Sequence, residues 1–161
     1  MNFREGDPVM HWTYGFGEVL KLEERELSGQ TTLYYAVQVR DMTVWVPADD
    51  NLKNRLRPPT PQARFKRLLA ILSAPAEPLP DDRHERKLRV LELLNDGRPE
   101  SLCRVIRDLS AYRKVRALND NDQVLLKRSQ TVLLGEWGFV LSVTPAQAEL
   151  EMHRLLMPTA A

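Results

Sequence analysis

At Pro58 the hydrophobic period of this chain changes from two to about 3.6, so its two halves cannot belong to one regular architecture. Upstream, apolar residues alternate. Leu33, Tyr35, Val37 and Val39 occupy every second position, as do Met42, Val44 and Val46, which places each set on one face of a strand. The pattern predicts strands over 7–12, 17–27, 31–39 and 42–46, with turns at Tyr14–Gly17, Ser28-Gly29 and Arg40-Asp41. Pro47 ends the last strand because it has no N–H to donate. Four or five short, hairpin-linked strands in residues 1–57 predict a strongly bent small β-barrel of the SH3 or Tudor type.

Downstream, the spacing is helical. Thr60-Pro61 reads as a cap followed by a first-turn proline, ahead of a stripe formed by Phe65, Leu68, Leu69 and Leu72. Three prolines in Ser73–Pro80 require a bend or linker. Asp81 or Asp82 can cap a helix carrying Leu88, Leu91 and Leu94 towards a stop at Gly97. Pro99 starts another, with Leu102, Val105, Ile106 and Leu109 at i, i+3, i+4 and i+7. Asp120 with Gln123 predicts a capping box before a long helix bearing Leu125, Leu126, Val132, Leu133, Trp137 and Val140. Thr144 with Gln147 predicts a second box, before Ala148, Met152 and Leu155. The expected class is therefore α+β: a β-barrel over 1–57, then a compact all-α domain over 58–161.

The 161 residues can form one medium domain or two small ones, either with a working core, and 43% hydrophobic with 28% charged residues is ordinary for a globular protein. No apolar run is long enough to span a bilayer, and the N-terminus lacks the layout of a secretory signal. A single cysteine fits a reducing compartment, so the expected location is cytoplasmic, and no membrane partner is expected. Up to Arg57 there are 7 Lys and Arg against 9 Asp and Glu, and beyond it 16 against 13. Neither half is basic enough to hold nucleic acid tightly through phosphate contacts alone.

No catalytic or metal-binding constellation emerges. His11, His84, His153 and Cys103 are far apart and lack metal-ligand spacing. Cys103 sits beside the Leu102 stripe and reads as packing, and His11 reads as a barrel-edge residue. Tyr14-Gly15-Phe16-Gly17 is followed by no Gly-Lys-Ser/Thr and reads as a turn needing positive φ. The pairs Glu23-Glu24, Asp49-Asp50 and Asp81-Asp82 read as opposite strand faces or helix caps. No cofactor, no small-molecule substrate and no enzymatic activity are expected.

Two features remain. Trp45 lies between Val44 and Val46 and faces away from the side they bury, which makes it either an interface anchor or a residue packed against the helical half. Arg83, Arg86, Lys87 and Arg89 form a basic cluster, in which Arg83, Arg86 and Lys87 share a helix face opposite the Leu88/Leu91 stripe; by itself such a run reads first as a solvated surface and second as a phosphate-binding face.

Several strings, in order, resemble the CarD/CdnL family of RNA polymerase-binding regulators. They are Phe3-Arg4-Glu5-Gly6-Asp7-Pro8-Val9, Tyr14-Gly15-Phe16-Gly17-Glu18-Val19, Glu23-Glu24-Arg25-Glu26-Leu27-Ser28-Gly29, Tyr34-Tyr35-Ala36-Val37, Met42-Thr43-Val44-Trp45-Val46-Pro47, Leu56-Arg57-Pro58 and Val105-Ile106-Arg107-Asp108-Leu109. The resemblance implies a Tudor-like domain, shared with transcription-repair coupling factors, that docks on the polymerase β subunit by edge-strand pairing. Arg25, Thr43, Val44, Trp45 and Val46 would make that contact. It further implies that the helical domain lies at the upstream edge of the transcription bubble. There Arg83, Arg86, Lys87 and Arg89 would touch promoter DNA weakly and without sequence preference, giving a nucleoid-associated location.

Two positions depart from the family pattern. Trp45 stands where arginine is common, and Arg83 stands where the family carries a tryptophan that wedges into the minor groove. The expected function is modulation of promoter open complexes. The alternative is an adaptor bound to polymerase without DNA contact.

Overall fold

The computed structural model describes residues 2–157. The chain forms two compact units that part between Pro59 and Thr60. The first contains β1 (Pro8–His11), β2 (Gly15–Leu27), β3 (Gln30–Val39), β4 (Met42–Pro47), a single helical turn α1 (Leu52–Arg55) and β5 (Leu56–Arg57). All pairings are antiparallel, and the strand order is β4-β3-β2-β1-β5. Among the described residues no ladder joins β4 to β5. The unit is thus an open five-stranded sheet, not the hydrogen-bonded closed barrel that the strand count suggests.

The sheet buries one face. Val9, Val19, Tyr35, Val37, Val39 and Val46 form its core, completed by Leu52 of α1 and Leu56 of β5. Those last two lie in a segment too short for periodicity to disclose. β2 begins inside the predicted Tyr14–Gly17 turn. Gly15 supplies the turn's positive φ of 89°, whereas Gly17 is already in the strand. A Cβ on Gly17 would stand 2.6 Å from the Gln38 carbonyl oxygen, so only glycine lets β3 approach there. A bulge between Val19 and Lys21 makes Leu20 the extra residue in β2.

The second unit contains α2 (Gln62–Ser73), α3 (Arg83–Leu94), α4 (Pro99–Val115), α5 (Asp120–Leu141) and α6 (Pro145–Leu156). α4 is its centre, packing against α2, α3 and α5. Leu102, Val105, Ile106 and Leu109 are all buried, as the i, i+3, i+4, i+7 spacing requires, and so is Cys103. Trp137 meets Phe65 edge-on at 6.1 Å and is a core residue.

The helix starts differ in detail from the sequence pattern. Thr60 does not cap α2: its N–H and hydroxyl both donate to Oε2 of the buried Glu136, at 2.8 and 2.9 Å. The box on α5 is Asn119 with Asp122, one residue before the predicted pair, because Asn119 is the extended residue and Asp120 is already helical. Thr144 and Gln147 form the predicted box on α6. No helix among the described residues is long and apolar enough to cross a membrane.

Candidate functional site

Because β4 is the outermost strand next to β3, one of its edges has no partner strand among the described residues. In an antiparallel ladder, alternate residues turn their backbone groups to the neighbour or away from it. The Ala48 N–H donates to the Leu33 carbonyl at 2.9 Å, which fixes the phase. Met42, Val44 and Val46 bond inward to β3, and Thr43 and Trp45 turn N–H and C=O groups outward. Pro47, the next outward position, has no N–H. The open edge is therefore two residues long in donors, bounded by the Arg40-Asp41 turn and by Pro47.

Side chains follow the same alternation. Val46 is buried and Val44 packs against the core, so their side chains belong to the fold. Trp45, 42% exposed, lies on the other face. That face also carries Lys21, Glu23 and Arg25 of β2, by their register through β3. Ala36 lies directly between Lys21 and Trp45 and is 1% exposed although it belongs to the face away from the core. Its small side chain lets the indole reach across β3. The Trp45 Nε1–H donates to the Glu23 carboxylate, and the Arg25 guanidinium lies over the indole at 4.6 Å from the ring centroid. Lys21 Nζ is 3.0 Å from Glu23. The hydrogen bonds from Lys21 and then from Trp45 hold the Glu23 carboxyl below its ordinary pKa. Arg25 and Trp45, singled out from sequence, thus meet. Glu23 reads from sequence only as half of an acidic pair, and Lys21 carries no motif, although their spacing from Arg25 in a strand marks a shared face.

The basic cluster on α3 divides into three environments. Asp82 caps the helix by accepting from the Glu85 N–H at 3.0 Å. The face turned to the core then carries Arg86 and Val90, while Leu88 and Leu91 are 53% and 37% exposed. This reverses the expected amphipathic stripe. Arg86 is only 4% exposed. Its Nε and Nη2 donate to Asp122, the latter at 2.7 Å, and its Nη1 donates to the Pro80 and Asp81 carbonyls and the Tyr112 hydroxyl, each at 3.1 Å. Its guanidinium also lies over the Tyr112 ring at 4.6 Å. Hydrogen bonding to Asp122 raises its pKa above the ordinary arginine value. With its donors turned inward, Arg86 is a structural clamp, contrary to its expected role as a surface phosphate contact.

Arg83 and Lys87 share a flank and, with His84 and residues Asn119, Asp120 and Asn121, line a shallow recess of about 360 Å³. Arg89 lies about 200° further round the helix than Lys87 and pairs with Glu77 at 3.2 Å. The four basic residues therefore do not form one surface.

The described residues thus form a sheet unit with an open edge strand, followed by a separate helical unit. Comparison of the sequence with protein families agrees. Residues 3–59 match the CarD-like/TRCF RID domain, and residues 67–153 match the CarD C-terminal domain. The chain belongs to the CarD family, a generally non-enzymatic family of transcription regulators whose N-terminal domain interacts with RNA polymerase. One similar protein is the Bacillus subtilis (strain 168) "Putative transcription factor YdeB". It is 24% identical over 148 residues, which cover 90% of this chain and 96% of that protein.

Proposed function

We propose that this chain modulates promoter open complexes, gripping the RNA polymerase β subunit through residues 1–57 and acting near DNA through residues 58–161. The observation that carries the reading is the open edge of β4. A strand of the partner can extend the sheet there through the backbone groups of Thr43 and Trp45, with Arg25 and the Trp45 indole beside it. Val44 and Val46 serve by shaping the strand. At the DNA, Arg83 and Lys87 supply phosphate contacts from one flank of α3, and Arg89 contributes only where its exposed pair with Glu77 opens. Two or three cations give weak, salt-sensitive binding without sequence preference. A cytoplasmic, nucleoid-associated place of action goes with this reading.

The inward-turned Arg86 also favours the adaptor alternative, since it removes one of the four expected DNA contacts. The deciding experiment measures the lifetime of promoter complexes with and without the full chain. Binding to the isolated β lobe together with a changed lifetime supports the regulator. Lobe binding with an unchanged lifetime supports the adaptor, and no binding to the lobe sinks both.

A further inference from the structure

The surroundings of Trp45 constrain the chemistry of what docks beside it. Three of the ways an indole is commonly satisfied are already supplied within the chain. Its N–H is bonded to Glu23, a cation covers it from Arg25, and Ala36 lies beneath its path across β3. Glu23 is itself held by Lys21, so the acceptor stays ionised and in place. With its N–H bonded to Glu23, the indole has only carbon surface to offer a partner side chain. It also belongs to one of the two β4 residues whose backbone faces the open edge. A strand added there places one of its side chains directly across from Trp45, on the same face, at cross-strand distance.

We infer that Trp45 selects a partner strand whose residue opposite it is apolar, aliphatic or proline, and that Glu23 is the positioning residue that presents the ring. This inference rests on the polymerase-docking reading and names the chemistry of that same contact. A carboxylate opposite Trp45 would lose solvation without gaining a donor from the indole. Arg25, engaged over the ring, is the group left to meet an acidic residue further along the partner strand.

The test is the affinity of the full-length chain for the isolated β lobe of its polymerase. Failure of the unmodified chain to bind overturns the docking reading itself. Where it binds, Trp45→Ala and Trp45→Arg should each weaken the complex about tenfold or more, the range of a buried aromatic anchor. Trp45→Phe should lose much less. Glu23→Ala should cost a few-fold, and Glu23→Gln, which keeps an acceptor oxygen, should restore most of it. Changing the lobe residue opposite Trp45 to aspartate should abolish binding of the unmodified chain and be rescued by Trp45→Arg. If Trp45→Arg binds the unaltered lobe as tightly as the unmodified chain does, the inference is wrong while the docking reading stands.

Discussion

The imidazole of His11 accepts the N–H groups of both Thr13 and Tyr14 through Nδ1, each at 3.1 Å, and it can do so only while neutral. Its ring stacks on Tyr14 at 5.1 Å and is nearly enclosed. Burial lowers its pKa from 6.5 to about 4. The unfolded chain takes up the proton first, so stability is complete above about pH 6.5 and declines as pH falls towards 4. A depression of this size corresponds to about 3 kcal/mol. Denaturant unfolding of the N-terminal unit should show this decline between pH 6.5 and 4. A His11→Leu variant should lose that part of the slope, and an unchanged slope would rule out His11 as its source. The sequence marks His11 as a strand residue at a barrel edge. That its side chain caps a turn is invisible there, because the β1–β2 geometry decides where Nδ1 points. Arg86 shows the same gap more sharply. Its partner Asp122 is 36 residues away, and with its remaining donors met by Pro80, Asp81 and Tyr112 the guanidinium displaces two leucines from the buried face.

Among the elements, β4 carries the clearest test. Thr43 turns its N–H to the open edge and Val44 turns its own to β3, although both are adjacent residues of one strand. Thr43→Pro should therefore remove an outward donor without breaking the sheet. The variant is expected to keep its thermal unfolding profile within a few degrees while losing most of its affinity for the β lobe. Val44→Pro should instead break a ladder bond and lower the unfolding temperature clearly more than Thr43→Pro does. Equal affinity loss and equal destabilisation in both variants would count against the phase assigned here. The strand itself, its face alternation and the outward Trp45 are all legible in the period-two pattern. Its position at the edge is not, since strand order depends on which hairpins pair and on β5 closing against β1. In the helical half, the stripes of α4 and α5 read correctly because they are mostly apolar. α3 does not, because periodicity counts leucines and takes no account of a fully paired arginine.

At the scale of the whole molecule, the change of period at Pro58 and the parting of the units after Pro59 nearly coincide. The exposed Arg83 and Lys87 of α3 define a test at DNA. With Arg83 and Lys87 as the principal contacts, replacing both by alanine should reduce the salt dependence of the promoter-bound complex by about two on a log–log plot. An unchanged slope would remove Arg83 and Lys87 as phosphate contacts and favour the adaptor.

The open edge of β4 has a further consequence before any partner arrives. A free strand edge is a template for a second copy of the same chain, and long, flat edges propagate into aggregates. Here the donors facing outward come from Thr43 and Trp45, bounded by a tight turn on one side and by a proline on the other. Two donors, with the two carbonyls beside them, allow only a short ladder. The same shortness that would make a partner strand depend on the neighbouring side chains limits how far copies of the chain could pair through this edge.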